Sequence, residues 1–172
     1  MDMEAKRITG TWFEFLHHNE AEGKYWNTAL TAFSEKQWRE KIREMKEAGM
    51  RYIALLATAL HFKAYFKTRI FPEWEIGCAD PIEVLLDEAD RQQMRVFIST
   101  GFYGDWMDPI GNMTDPAVLK RMLTAINELS ALYGHHESFY GWYYPDETWI
   151  KGHLSPEFMH YVNLSSAEIH KM

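Results

Sequence analysis

The sequence predicts an α/β fold made of parallel (β/α) units, the four strands and four helices of half a TIM-type (β/α)8 barrel. Three observations point there. Short apolar segments beginning at residues 8, 52, 95 and 139 recur every 43 or 44 residues, and each is followed by a helical pattern. The connections from strand to helix are long (residues 16–33, 60–79, 101–114 and 145–154), whereas the returns at 48–51 and 133–138 are short. Barrel enzymes collect long loops on the strand-to-helix face because the active site is built there. Finally, the first strand is followed by Glu14-Phe15-Leu16-His17-His18-Asn19, with none of the glycines that a doubly wound dinucleotide fold places at that turn.

The strands are expected at residues 8–15, 52–59, 95–100 and 139–144. Strand followed by helix, four times over, requires parallel pairing through right-handed crossovers. The first helix opens at Ser34-Glu35-Lys36-Gln37, a capping box in which the Ser oxygen and the Gln side chain satisfy free backbone N–H groups. Trp38, Ile42 and Met45 follow at helical spacing, and Gly49 ends it. Asp80-Pro81 opens the second helix and Asp115-Pro116 the third, with proline where an N–H has no partner to lose. Val118, Met122, Ile126 and Leu129 form the apolar stripe of the third helix, and Gly134 ends it. Ser155-Pro156-Glu157-Phe158 opens the fourth, which runs towards the C-terminus.

A chain of 172 residues suits one half-barrel domain spanning 1–172, either standing alone or forming the N-terminal part of a larger barrel, since a whole barrel needs about 250 residues. A net charge of −7 with no Lys/Arg block argues against a nucleic-acid partner, whose phosphates need neutralising. The longest apolar stretch, 52–60, is far short of a membrane span. The N-terminus shows no signal-peptide pattern, which fits a cytoplasmic protein or a periplasmic or secreted one whose leader has been removed. Cys78 is the sole cysteine and lies beside no basic partner, which leaves it neither a disulfide nor an activated thiol.

Carboxylates and aromatic residues converge on the strand ends: Trp12 and Glu14 on the first, Tyr103, Asp105 and Trp106 after the third, Trp142, Tyr144, Asp146 and Glu147 on the fourth. Aromatic faces stack on sugar rings and carboxylates bind hydroxyls or move protons, so this rim is a candidate carbohydrate site. Blander readings stand beside it. Glu147 in a Pro-Asp-Glu turn could cap a loop, Glu14 could pair with Lys63 or Arg69, and Trp12 and Trp142 could pack in the core. His17-His18, with His153, Asp146 and Glu147, lack the spacing that aims two ligands at one ion, so no metal or other cofactor is expected. For His135-His136, just past Gly134, the negative end of a helix accounts better than a ligand role.

Gly10-Thr11-Trp12-Phe13-Glu14, Gly101-Phe102-Tyr103 with Trp106, and above all Phe139-Tyr140-Gly141-Trp142-Tyr143-Tyr144-Pro145-Asp146-Glu147 resemble a bacterial, Bacteroidetes-type family of glycoside-hydrolase-like TIM-barrel proteins of unknown function. The resemblance covers nearly the whole chain. It implies that Glu147, at the end of the fourth strand, is the general acid/base, and that Glu14, Trp12, Tyr103, Asp105, Trp106, Trp142, Tyr144 and Asp146 line a sugar site. The related retaining glycosidases carry Asn before this Glu where this chain has Asp146, and their nucleophile ends a seventh strand that has no counterpart here. The expectation is therefore a glycoside hydrolase-like protein acting on or binding carbohydrate. The alternative is a non-catalytic half-barrel that binds carbohydrate or self-associates, its open edges closed by a homodimer or by a C-terminal half.

Overall fold

The computed structural model describes residues 7–16, 28–146 and 153–172. Four strands, β1 (Gly10–Phe13), β2 (Tyr52–Leu55), β5 (Arg95–Ser99) and β6 (Phe139–Tyr143), form one sheet in that spatial order, every neighbouring pair parallel. A doubly wound sheet reverses its order at a switch point. Here the order runs in one direction, and the sheet is a half-barrel. The helices are α1 (Glu35–Glu47), α2 (Pro81–Arg91), α3 (Pro109–Thr114), α4 (Pro116–Tyr133) and α5 (Pro156–Ile169), preceded by a 3-10 turn at Thr28–Ala32. The four expected helices start at their four expected caps. The Ser34–Gln37 box closes in both directions, and Asp80, Asp115 and Ser155 each accept a backbone N–H of the first turn.

Two elements lie in connections that the sequence pattern does not mark as structured. Residues 59–64 form a tight hairpin, β3 (Ala59–Leu60) with β4 (Lys63–Ala64), turned by His61 and Phe62, both at positive φ. Such a pair of left-handed residues matches the twist of a two-residue hairpin. The hairpin also shortens the second strand, expected to reach residue 59. The short helix α3 fills the connection after β5, with Asp108 accepting from Gly111 N–H at its start. Among the described residues, no helix is long and apolar enough to cross a membrane.

The two faces of the sheet differ. Ile53, Leu55, Val96 and Ile98 are fully buried under the helices, against Ile82, Leu85, Leu86, Ala125, Ile126 and Leu129. The other face, which the remaining strands of a full barrel would cover, leaves Trp12, Tyr52 and Tyr140 exposed. Tyr140 packs edge-on to Phe97 and Tyr52 there, under the Arg95 guanidinium at 4.2 Å. Between β5 and β6 the register slips. Val96 faces Phe139 but Phe97 faces Gly141, so Tyr140 is an extra, bulged residue.

His136 leaves α4 differently from expectation. Its ring faces α2, with Asp90 Oδ2 2.6 Å from Nδ1 and Glu83 Oε2 3.2 Å from Nε2. Carboxylates of a neighbouring helix, with full charges, outcompete the partial charge of the helix end. Burial opposes charge on the imidazole, but the hydrogen bonds to Asp90 and Glu83 outweigh it and raise the His136 pKa. Asp90, despite its own burial, is lowered by His136 and Ser138. A raised histidine contributes stability in full below about pH 6.5, lost as pH rises through its folded pKa. A lowered aspartate contributes above about pH 4, lost on acidification. His136→Gln should therefore lower the unfolding midpoint most between about pH 5 and 6 and least near pH 9. Thermal melts across that range check this, and a deficit growing with pH would contradict it.

Candidate functional site

Because all four strands run the same way, their C-terminal ends share one rim, and a cavity of about 270 Å³ opens there. It is lined by Trp12 of β1, Leu56 beyond β2, Phe102 and Trp106 beyond β5, Pro109 of α3, and Tyr143, Pro145 and Asp146 at the end of β6. Trp12 lies opposite Ala54, a small neighbour that leaves its ring uncovered, and is 70% exposed. Trp106 packs edge-on to Phe102 at 4.8 Å, which holds its indole at the wall. Tyr143 reaches the same cavity because it pairs with Ser99 on the open face.

The turn after β5 sets the back of the site. Gly101 has a φ of +82°, and a Cβ there would stand 2.3 Å from the Tyr103 ring and 2.8 Å from Thr58 Oγ1. Glycine is thus required both by the backbone angle and by the close approach. Thr100 Oγ1 lies 2.8 Å from the Tyr161 hydroxyl, which ties the end of β5 to α5.

Among the described lining residues, Asp146 is the single carboxyl. It is 8% exposed, and burial pushes its pKa up to about 6 against the pull of hydrogen bonds from Tyr161 and Asn112. With Tyr161 donating to the ionised carboxylate, Thr100 completes a relay by donating to Tyr161. An aspartate whose pKa burial raises to about 6, in an aromatic cleft, can donate or accept a proton at a sugar oxygen.

Of the residues expected in the site, Trp12, Trp106 and Asp146 come together. Glu147, the expected acid/base, lies outside the described residues, as do His17 and His18. Tyr103 is 1% exposed; its hydroxyl is 2.9 Å from Thr58 Oγ1 and its ring stacks on Phe71, so it belongs to the core behind the cleft. Trp142 pairs with Ile98 on the helix-covered face and packs on Phe139, because the bulge at Tyr140 inverts the alternation that would have aimed it at the rim. Tyr144 spends its hydroxyl on Ser166 and its ring on Tyr161, fastening α5. The same inversion delivers Tyr143, which simple alternation misses. Asp105 is exposed in the loop and accepts from Met107 N–H at 2.9 Å, away from the lining. Glu14 is half-buried just past β1, where its charge adds to burial in raising the Tyr65 phenol. Of the cations suggested as its partners, Arg69 pairs with Glu128 at 3.1 Å and Lys63 lies 5.1 Å from the Trp74 ring centre. Phe102, within the Gly101-Phe102-Tyr103 motif but not expected in the site, and Pro109, marked only by its place in a long loop, also line the cleft.

Comparison with known proteins bears on the fold and the family. The fold matches a crystal structure from Bacteroides thetaiotaomicron VPI-5482 described as a putative alpha-L-fucosidase, with a TM-score of 0.66 at 17% sequence identity. The match covers 99% of this chain and 53% of that one, so the chain spans about half the length of its structural neighbour. No curated protein matches it. A family model described as a domain of unknown function, DUF4434, matches residues 8–172, and the chain belongs to that family.

Proposed function

We propose that the cleft at the strand ends takes a sugar residue as part of a glycoside-hydrolase-like barrel. The observation that carries this reading is the buried Asp146, among the described residues the one carboxyl in a cavity walled by Trp12, Trp106, Phe102 and Tyr143, where burial pushes its pKa up to about 6. Apolar sugar faces stack on such rings, and the hydroxyls turn to the carboxyl. In this reading Trp12 and Trp106 hold the ring and Asp146 binds a hydroxyl. Glu147, the next residue in the sequence, protonates the glycosidic oxygen in this reading. A glycosidase also needs a second carboxyl about 5–5.5 Å away for retention, or roughly 6.5–9.5 Å for inversion. Among the described residues none lines the cavity beside Asp146, so that group would come from Glu14 or from chain beyond this half-barrel. The likeness to a protein described as a fucosidase makes fucosides a first choice of substrate.

The test is a panel of aryl glycosides, fucosides included, supplied to the full-length protein and its Glu147→Gln variant. Turnover falling at least a hundredfold in the variant supports the acid/base role; undiminished turnover removes it. Calorimetric titration with the matching free sugars reads binding separately. Trp12→Ala should weaken it about tenfold or more without changing the fold, since the ring is mostly in solvent.

A second reading, a non-catalytic half-barrel that binds carbohydrate or self-associates, is favoured by the uncovered sheet face bearing Trp12, Tyr52 and Tyr140. Saturable sugar binding with no turnover, together with a dimer in light scattering, would select it.

A further inference from the structure

A second cluster lies on the return from α4 into β6, apart from the cleft. His135 and His136 sit there beside Glu83 in the first turn of α2. The three offer two imidazole nitrogens and a carboxylate oxygen, all within 4.8 Å of one another. His136 is held in place from behind. Its Nδ1 is 2.6 Å from Asp90 Oδ2, while the other oxygen of Asp90 accepts from the Ser138 backbone N–H at 2.6 Å. With Nδ1–H donated to Asp90, the lone pair of Nε2 points at Glu83 Oε2, 3.2 Å away. Two acceptors at that separation repel unless a cation lies between them, and the cation is either a proton or a metal ion. Tetrahedral ligands with bonds of about 2.0–2.1 Å stand roughly 3.3 Å apart, which is close to the Nε2–Oε2 spacing. A carboxylate behind the imidazole is the usual support of a metal-bound histidine.

We propose that His136 Nε2, His135 and Glu83 form a binding site for one divalent transition-metal ion of the zinc type, with Asp90 as the outer carboxylate and water completing the four positions. His135 separates the two cations. A proton shared between His136 and Glu83 has no need of it, whereas a metal ion takes it as third ligand. The His135 ring lies 4.2 Å from that of His136 and is exposed, so it can turn a nitrogen to the ion without disturbing the core. The site holds together the α4–β6 return and α2, independently of what the cleft does.

The experiment titrates tag-free protein with zinc chloride by calorimetry and with Co²⁺ by visible absorption. The expected result is one saturable site, with the strong visible bands of four-coordinate Co²⁺. His135→Ala and Glu83→Gln should each lower the affinity at least tenfold, while His170→Ala leaves it unchanged. Circular dichroism of the His135→Ala variant, altered at an exposed residue, should match the parent. No saturable binding, or binding undiminished in both His135→Ala and Glu83→Gln, overturns the proposal.

Discussion

Asp146→Asn is expected to make the protein more stable at pH 8 while weakening sugar binding. The buried carboxyl titrates at about 6, well above an ordinary aspartate. A raised carboxyl holds its proton longer in the folded state. Its penalty is absent below about pH 4, grows as pH rises to about 6, and is complete above that. The gap corresponds to about 3 kcal/mol. Asparagine is isosteric and cannot ionise, so the variant should melt roughly 6–12 °C above the parent at pH 8, and at about the same temperature at pH 4. Melts at the two values, read beside sugar titrations, separate the roles. A stability gain confined to alkaline pH, with binding lost, marks a carboxyl kept in the cleft at the expense of stability. A variant equally destabilised at both values would show Asp146 to be a structural hydrogen-bond acceptor instead.

Gly101→Ala is expected to be the most damaging single substitution at the site. The backbone there is left-handed, and the added methyl would enter the space of the Tyr103 ring and Thr58 Oγ1. Strain of about 1 kcal/mol from the positive φ adds to overpacking of roughly 1–3 kcal/mol. A loss of about 3 kcal/mol, with the Thr58–Tyr103 hydrogen bond displaced, is the expected outcome in urea unfolding. Gly49→Ala is the control: its φ is +94°, but nothing lies within 4 Å of the added methyl, so only the strain remains. Equal losses at the two glycines would contradict the packing account.

What the sequence carries openly is local chemistry. Asp80-Pro81, Asp115-Pro116 and Ser155-Pro156 announce helix starts because capping is local chemistry, decided within four residues. The 43–44-residue recurrence announced parallel units, and the absence of glycines after β1 spoke against a dinucleotide fold. The side-chain directions on β6 were not legible. The bulge at Tyr140 depends on how β6 registers on β5, which is a tertiary matter. One inserted residue sends Trp142 to the helices and Tyr143 to the cleft. Tyr103 follows the same logic, since Gly101 turns the chain so that the ring folds back over Thr58. His136 was placed near a helix end, but its partners on α2 are 46 and 53 residues away in sequence. Asp146 was legible as a rim carboxyl; that it titrates near 6 follows from burial that only the folded chain supplies.

The most direct measurement follows the indole N–H signals of the tryptophans in ¹⁵N-labelled protein while sugars are titrated in. Binding between the strand tips predicts saturable shifts for Trp12 and Trp106, with none for Trp38, which is buried beneath the opposite face. Assignment by Trp12→Phe and Trp106→Phe fixes which signal is which. If no sugar in the panel moves either indole, or if Trp38 moves as much as Trp12, the cleft is not where carbohydrate binds.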